Sequence, residues 1–501
     1  MNYSYILIAS LGLGLIASHL QAEDEIVPAE EILGERLFLE TRFAQSYMNN
    51  PAQADPVLDK TATLQGMRPG PFKGTNMSCR ACHMVDEHKD TAMAGMRTYA
   101  DFARRSPVPA REDRQATAVR NSQSLVGINR QKDTVFHHDG EFPTLQDLVR
   151  ATFTGRNMGW LAGEEKQAEQ HIAAVIRGDD GKGALAREFG GSYTNALGGR
   201  VGDSVLPAQY RLDVSEASDT EILDAVAELV TVYISALDFS RDEQGHYNGS
   251  AYDAFLAKNQ LPRRPQQGES DKAYAQRLHK AMQSLAAVAY VGGKDGKLAL
   301  HEQAFRFAGQ ELAGMRIFFG KGNCVSCHTP PTFSDYNFHN TGVSQTAYDA
   351  LHGQGAFMQL AIPGTVDPDQ HYRDIAAKDR PGYTDLGIWN ILGNPATSLM
   401  HQNVLRKRLC ASACEPNMAM AKSIAAFKTP LLRDLGHNAP YMHDGSKDTL
   451  EDVLAHYVQV AHLARAGKLR NSSADIEAVS LTASDIKPLA AFLRALNEDY
   501  E

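Results

Sequence analysis

The sequence predicts a helical protein that contains a duplicated domain, and two observations support this. First, residues 450, 453, 454 and 457 are Leu, Val, Leu and Tyr, and the spacing i, i+3, i+4, i+7 places them on one face of a helix. Second, the segment 138–147 recurs at 443–452 with His-Asp-Gly, Thr-Leu and Asp at identical spacings. Two copies with unequal surroundings indicate duplication of a domain, not a solenoid.

Each copy of the repeat predicts a turn followed by a capped helix. The Asp-Gly pair favours the turn, and Thr144 and Thr449 precede the helices. Asp147 and Asp452 then stand at the third helical position, which completes a capping motif. Helical periodicity also predicts a scaffold helix over residues 221–237.

The polar segment 260–285 indicates a solvated connection that leads into another helix.

Two Cys-x-x-Cys-His motifs indicate covalent haem. They are Cys79-Arg80-Ala81-Cys82-His83 and Cys324-Val325-Ser326-Cys327-His328. The two thiols of each motif add to the vinyl groups of the porphyrin, and His83 and His328 are the predicted proximal iron ligands. Zinc is a poorer interpretation because neither motif has a second Cys/His pair nearby at comparable spacing. The sequence therefore predicts two haem c groups.

The N-terminus and the composition indicate the compartment. Residues 6–17 form a short apolar run, followed by Ala22 and an acidic stretch, as in a secretory signal peptide cleaved near Ala22. The prediction is a periplasmic protein with no transmembrane segment after cleavage. An uncleaved anchor stays open because no Lys or Arg precedes the run.

Charge and the remaining cysteines narrow the partners. The formal net charge is −10, which makes nucleic acid an unlikely partner and favours a basic electron carrier. Cys410 and Cys414 are expected to form a local disulfide in an oxidising compartment, with a redox-active thiol pair as the alternative.

The two capped helices differ at one position that bears on the haems. The apolar face ends in Tyr457 in the second copy and in Thr152 in the first. If each helix packs against its haem, the iron of the second haem faces the phenol of Tyr457. The iron of the first haem then faces the short hydroxyl of Thr152, which leaves room for a small ligand. A packed core tyrosine is the alternative for Tyr457. His88 follows the first motif closely enough to be an internal iron ligand.

Several stretches together resemble bacterial di-haem cytochrome c peroxidases. Residues 319–328, 333–343, 427–433 and 439–445 are similar to the second haem domain of that family, and residues 120–122 and 136–140 match its first half. The resemblance runs from about residue 30 to the C-terminus.

The resemblance implies an all-α fold with two cytochrome c-like haem domains and helical insertions. The implied organisation is a signal peptide at 1–22, a peroxidatic-type haem domain at 23–290 with a helical insertion, and an electron-transfer haem domain at 291–501. A calcium ion lies between the domains in this family. Its implied ligands here are the Asn121 side chain and the carbonyls of Asn438 and Pro440.

Site residues follow from the resemblance position by position. Cys79, Cys82, Cys324 and Cys327 would hold the porphyrins. His83 and His328 would be proximal ligands. Tyr457 matches the distal ligand of the second haem in the branch that matures methylamine dehydrogenase, and a phenolate ligand lowers the reduction potential of iron.

Departures from the family pattern concern the reactive site. Asn157 and Leu148 stand where family peroxidases carry Glu and Gln beside the first haem, and an amide cannot act as a general acid at neutral pH. His138 replaces a tryptophan between the haems. Gly322 replaces a tryptophan that the maturation enzyme uses, so that specific activity is not supported. Asn157 and His138 are therefore the candidate catalytic residues.

The resulting functional hypothesis is a periplasmic oxidoreductase that reduces hydrogen peroxide. Electrons would come from a small redox protein, such as a cytochrome c or a cupredoxin, or from an organic reductant. Two alternatives stay open: a non-enzymatic di-haem electron carrier whose first haem is sealed by an internal ligand, and a di-haem oxygenase or oxidase that uses O₂.

Overall fold

A computed structural model describes residues 27–49, 78–79, 82–83, 119–128, 135–298, 301–366, 372–410 and 414–499. Helices dominate these ranges. The only extended elements described there are two antiparallel pairs of two-residue strands, so the predicted helical character is confirmed. No helix in these ranges is both long and apolar enough to cross a bilayer. The predicted signal peptide and His88 lie outside the described residues.

The first part of the chain builds one apolar core. Its elements are α1 (Ala29–Leu39), α2 (Gln45–Asn49), α3 (Leu145–Phe153), α4 (Glu165–Gly178), α5 (Ala184–Glu188), α6 (Tyr193–Leu197), β1 (Arg200–Val201), β2 (Ser204–Val205) and α7 (Asp219–Ala236). Helix α7 confirms the predicted scaffold helix and begins at a Ser218–Glu221 capping box. It packs against α1, where a Cβ at Gly34 would collide with the Leu229 carbonyl.

The second part of the chain builds another apolar core, to which residues 251–282 already contribute. Its principal elements are α8 (Ala251–Lys258), α9 (Asp271–Gln283), α10 (Gly309–Phe319), α16 (Leu450–Arg465), α17 (Ala474–Glu477) and α18 (Ala483–Arg494). Helices α10 and α18 pack closely because Gly314 admits the Pro488 carbonyl. Helix α9 lies within the segment 260–285 that was predicted to be a solvated connection. Its residues Tyr274, Leu278 and Met282 are buried in this core, because they lie on one face of the helix, so the prediction of a solvated connection is wrong for this part of the segment. The domain boundary at residue 290 stays a prediction.

An insertion separates the strands of the second small sheet. Between β3 (Phe338–His339) and β4 (Phe427–Lys428) lie α11 (Val343–His352), α12 (Ala356–Gln359), α13 (Trp389–Leu392), α14 (Leu399–Cys410) and α15 (Pro416–Ser423). The insertion has its own apolar cluster, which includes Phe357 and Trp389. The expected disulfide between Cys410 and Cys414 is present.

The sequence repeat is also a structural repeat. Isolated bridges join Phe136 to Phe142 in the first copy and Tyr441 to Lys447 in the second. In both copies the residue before the His-Asp-Gly triplet and its glycine have positive φ, 66° and 70° in the first and 72° and 62° in the second. The Thr144 hydroxyl accepts from the Asp147 amide at 3.0 Å, and the equivalent bond at α16 is 3.1 Å. The predicted caps are therefore confirmed.

Candidate haem sites

The second attachment motif folds into a tight turn. Cys324–Ser326 form a 3₁₀ turn, and the amides of Cys327 and His328 donate to the Cys324 carbonyl at 3.3 and 2.8 Å. The His328 Nδ1 lies 3.0 Å from the Phe333 carbonyl. A ring held through Nδ1 keeps Nε2 available as a metal ligand.

The first motif repeats this geometry. The amides of Cys82 and His83 donate to the Cys79 carbonyl at 3.1 and 2.9 Å. The His83 Nδ1 lies 2.9 Å from the Gln123 carbonyl, and the Ser122 hydroxyl donates to the Cys82 carbonyl at 2.9 Å. Both histidines are therefore positioned in the same way relative to their cysteine pairs.

Burial keeps both imidazoles in the form that iron ligation requires. It lowers the pKa of His83 to about 4 and also lowers the pKa of His328, so both imidazoles are neutral at neutral pH. Burial raises the pKa of the Cys79 and Cys324 thiols to about 12. Neutral imidazole is the form that binds iron.

Tyr457 and the second motif line one cavity of about 270 Å³. Helix α16 brings Leu450, Val453 and Leu454 to the same wall, as the helical spacing predicts. The pKa of Tyr457 is raised, first by burial and then by the nearby Cys327 and Cys324 sulfurs. Its role as an iron ligand stays a prediction.

The residues predicted for the reactive side of the first haem, Asn157 and Leu148, do not line a common cavity with an attachment motif among the described residues. Asn157 is half-buried in the 3₁₀ turn that follows α3 and does not line the cavity. Leu148 is half-buried, and the Thr152 hydroxyl donates to the Leu148 carbonyl at 2.8 Å. That hydroxyl is therefore engaged within its own helix.

His138 connects the two motif environments. It lines the cavity of the second motif, while its Nδ1 lies 3.3 Å from the Gln123 side-chain nitrogen. Its Nε2 lies 3.0 Å from the Asn121 carbonyl. Burial, and then the positive charge of Arg120, hold the pKa of His138 well below its ordinary value. His138 is thus a neutral, hydrogen-bonded group between the two halves.

Two of the three residues implied as calcium ligands, Asn121 and Pro440, lie in contact. The Asn121 side-chain nitrogen is 2.6 Å from the Pro440 carbonyl. The backbone N–H of Asn121 donates to the His443 carbonyl at 2.7 Å. The Asn438 Oδ1 is buried and has no hydrogen-bond partner among the described residues.

Sequence reasoning did not identify Gln123 or Lys428. Gln123 contacts His83 through its backbone and His138 through its side chain. The buried Lys428 donates from Nζ to the Val135 carbonyl at 2.7 Å. Neither residue belongs to a spacing rule, since a backbone contact or a lone lysine leaves no pattern in the sequence.

Comparisons with known proteins found relatives that match part of this chain. A cytochrome c peroxidase, IdrP2, from Denitromonas iodatirespirans is 31% identical over 192 residues, which are 38% of this chain and 40% of that protein. The methylamine utilization protein MauG from Methylophilus methylotrophus is 26% identical over 231 residues, 45% of this chain and 48% of that protein. The chain thus spans less than half the length of these relatives.

Among solved structures, the diheme peroxidase BthA from Burkholderia thailandensis gives a TM-score of 0.46 at 18% identity, covering 94% of this chain and 86% of that one. No protein-family profile matches the chain.

The helical fold, the two Cys-x-x-Cys-His turns and the curated relatives together indicate a di-haem c-type protein. Over about two fifths of its length the chain is similar to di-haem cytochrome c peroxidases and MauG proteins.

Proposed function

We propose that this chain is a periplasmic oxidoreductase that reduces hydrogen peroxide with two covalently bound haem c groups. The observation that carries the proposal is the shared geometry of the two attachment turns. In each turn the histidine is neutral, is held through Nδ1 by a backbone carbonyl and keeps Nε2 available for iron. The haems, once bound, supply the redox chemistry.

The two haem domains would divide the reaction. Reduction of one peroxide molecule to two water molecules consumes two electrons and two protons. Residues 23–290 would hold the haem that meets peroxide, and residues 291–501 the haem that receives electrons. The donor would be a small redox protein, cytochrome c or cupredoxin, or an organic reductant. The neutral His138, which contacts Gln123 and lines the second cavity, would lie between the two haems.

Tyr457 is proposed as a residue that would hold the iron of the second haem together with His328. It shares a cavity with His328 and the two cysteines of that motif. Because its pKa is raised by burial, the free phenol is neutral, and binding to iron would displace its proton. A phenolate ligand lowers the reduction potential of iron, so this haem would be a poor partner for a high-potential donor and would need a donor of low potential.

A calcium ion is proposed between the domains. Calcium takes oxygen ligands from carboxylates, carbonyls and side-chain amides, and the site offers Asn121 with the carbonyls of Asn438 and Pro440. The Asn121 side chain lies 2.6 Å from the Pro440 carbonyl, so two of the proposed ligands are close enough to bind one ion.

Haem retention and peroxide consumption together test the proposed function. After acid–acetone extraction the colour should stay with the protein, and its mass should exceed the apoprotein mass by two haems. Replacing Cys79 and Cys82 by Ser should leave about one haem. A matched control, Cys410→Ser with Cys414→Ser, should keep both because that pair forms a disulfide.

Peroxide consumption is then measured with a reduced artificial donor. A mass equal to that of the apoprotein would contradict the haem proposal. Two retained haems without any peroxide consumption would contradict peroxide reduction.

A further inference from the structure

A second cluster of ligand-type side chains lies outside the haem cavity. His301 Nε2 lies 2.9 Å from Asp434 Oδ1, and His437 Nδ1 lies 3.1 Å from Asp434 Oδ2. One ligand atom from each residue lies within 4.8 Å of the others. The two imidazole rings stack with centroids 4.0 Å apart. None of the three residues lines the haem cavity.

Asp434 presents both oxygens of a buried carboxylate to imidazole nitrogens in this cluster. Its side chain is 4% exposed, with Oδ1 facing His301 and Oδ2 facing His437. His301 Nε2 also lies 3.1 Å from the Glu498 carbonyl. A buried carboxylate is costly unless it is paired with a positive charge or coordinates a metal ion. A proton on an imidazole or a bound metal ion would supply that positive charge.

The surrounding backbone is shaped around the cluster. Asp434 has φ of 52°, a left-handed conformation that costs free energy and persists where its surroundings require it. A Cβ at Gly436 would lie 2.8 Å from His301 Nδ1 and 2.5 Å from the Asn497 amide nitrogen. The Gly436 amide donates to Asn497 Oδ1 at 3.1 Å. Only glycine at position 436 lets the His301 ring approach this closely.

We propose that His301, Asp434 and His437 form a zinc site, with the Glu498 carbonyl as the fourth ligand. Two imidazole nitrogens and a carboxylate oxygen are a ligand set that zinc uses, with bonds of about 2.0–2.2 Å. Ligand atoms 2.9 and 3.1 Å apart are compatible with bonds of that length to a common ion. The nitrogen ligands distinguish this site from the all-oxygen calcium site.

The zinc ion would join three segments of the chain that are distant in sequence. These are the segment before α10, the turn Leu435–His437, and the chain that follows α18. Asn438 and Pro440 come directly after that turn. The zinc site would therefore fix the backbone that supplies the proposed calcium ligands.

Metal analysis of the haem-loaded protein tests the proposal. The protein is dialysed against a zinc-selective chelator with calcium present, incubated with zinc chloride and passed over a desalting column. The wild type should retain about one zinc per chain. His301→Ala and Asp434→Asn should lose it, whereas His462→Ala, an exposed histidine on α16, should retain it. Haem content and the visible spectrum verify that each variant is folded.

X-ray absorption at the zinc edge of the wild type provides a readout that needs no variant. We expect nitrogen and oxygen ligands at about 2.0–2.1 Å with the scattering of two imidazoles. Failure of the wild type to retain zinc would overturn the proposal and leave an imidazole–carboxylate ion pair. Equal zinc retention by wild type, His301→Ala and Asp434→Asn would overturn it too, since the ion would then be bound elsewhere.

Discussion

At the scale of single residues, Tyr457 tests the ligation of the second haem. Tyr457→Phe keeps the ring that lines the cavity and removes only the oxygen. We expect the electronic and paramagnetic spectra of one haem to change while both haems stay attached. The spectra are recorded on the oxidised and the half-reduced protein. An unchanged spectrum would make Tyr457 a packed core residue.

The matched control is Tyr441→Phe in the same cavity. The Tyr441 hydroxyl donates to the Leu435 carbonyl at 2.9 Å, so its loss removes a hydrogen bond within the protein. That change should lower the free energy of unfolding by about 1 kcal/mol and leave both haem spectra as they are.

Asn157 governs a second prediction at this scale. If it replaces the acid that moves the proton, wild-type peroxide turnover is slow and limited by proton delivery. General acid–base assistance is worth on the order of 100- to 10,000-fold, so Asn157→Glu should raise the peroxidase rate with an artificial donor. Asn157→Gln is the control, because glutamine has the length of glutamate but no ionisable group. This variant should not raise the peroxidase rate.

Two outcomes would redirect this interpretation. Fast turnover by the wild type, with no gain in Asn157→Glu, would mean that another residue supplies the proton. No reaction in either protein, with a six-coordinate low-spin first haem, would favour the electron carrier.

At the scale of elements, the two capped helices should respond alike. Thr449 caps the helix that carries Tyr457, and Thr144 caps α3. Thr449→Ala and Thr144→Ala should each lower the free energy of unfolding by about 1 kcal/mol, because an amide of the first turn loses its acceptor. Chemical denaturation measures both. The control Thr231→Ala, inside α7, should change the free energy less, since that hydroxyl bonds only to the Ala227 carbonyl.

Elements with a local sequence signal were predictable, and elements without one were not. Helical spacing predicted the cavity-facing residues of α16, and Thr-x-x-Asp predicted its first turn. The insertion between β3 and β4 gave no such signal, because its small apolar cluster is assembled from short helices. The cluster of His301, Asp434 and His437 was missed for a similar reason, because only folding brings His301 to the other two residues.

At the scale of the whole molecule, polar contacts join the two halves that the repeat defines. The Lys428 amide donates to the His138 carbonyl at 2.7 Å, and its side chain reaches Val135, 293 positions away. Arg120 forms an ion pair with Asp139 at 2.6 Å and another with Asp385 at 2.6 Å. The sequence predicted two halves but not these contacts, because charge patterns do not identify partners so distant along the chain.

Lys428 gives this junction a testable pH dependence. Burial lowers the pKa of Lys428 to about 8, against an opposing effect of Asp139, from an ordinary value of 10.5. Between these two values the unfolded chain holds a proton that the folded protein lacks, so this lysine makes the free energy of unfolding rise with pH. The slope is at most about 1.4 kcal/mol per pH unit. Below pH 8 the buried charge is present in the folded state and its full cost remains.

Urea unfolding between pH 7 and 9.5 should reveal this dependence by comparison of variants. Lys428→Met keeps a similar shape without a titrating group, so its free energy of unfolding should rise less with pH than that of the wild type. Lys422→Met, at an exposed lysine on α15, should follow the wild-type slope. If the free energy of unfolding has the same pH dependence in the wild type and in Lys428→Met, the prediction is wrong. The pKa of the buried Lys428 would then be the same in the folded and unfolded states.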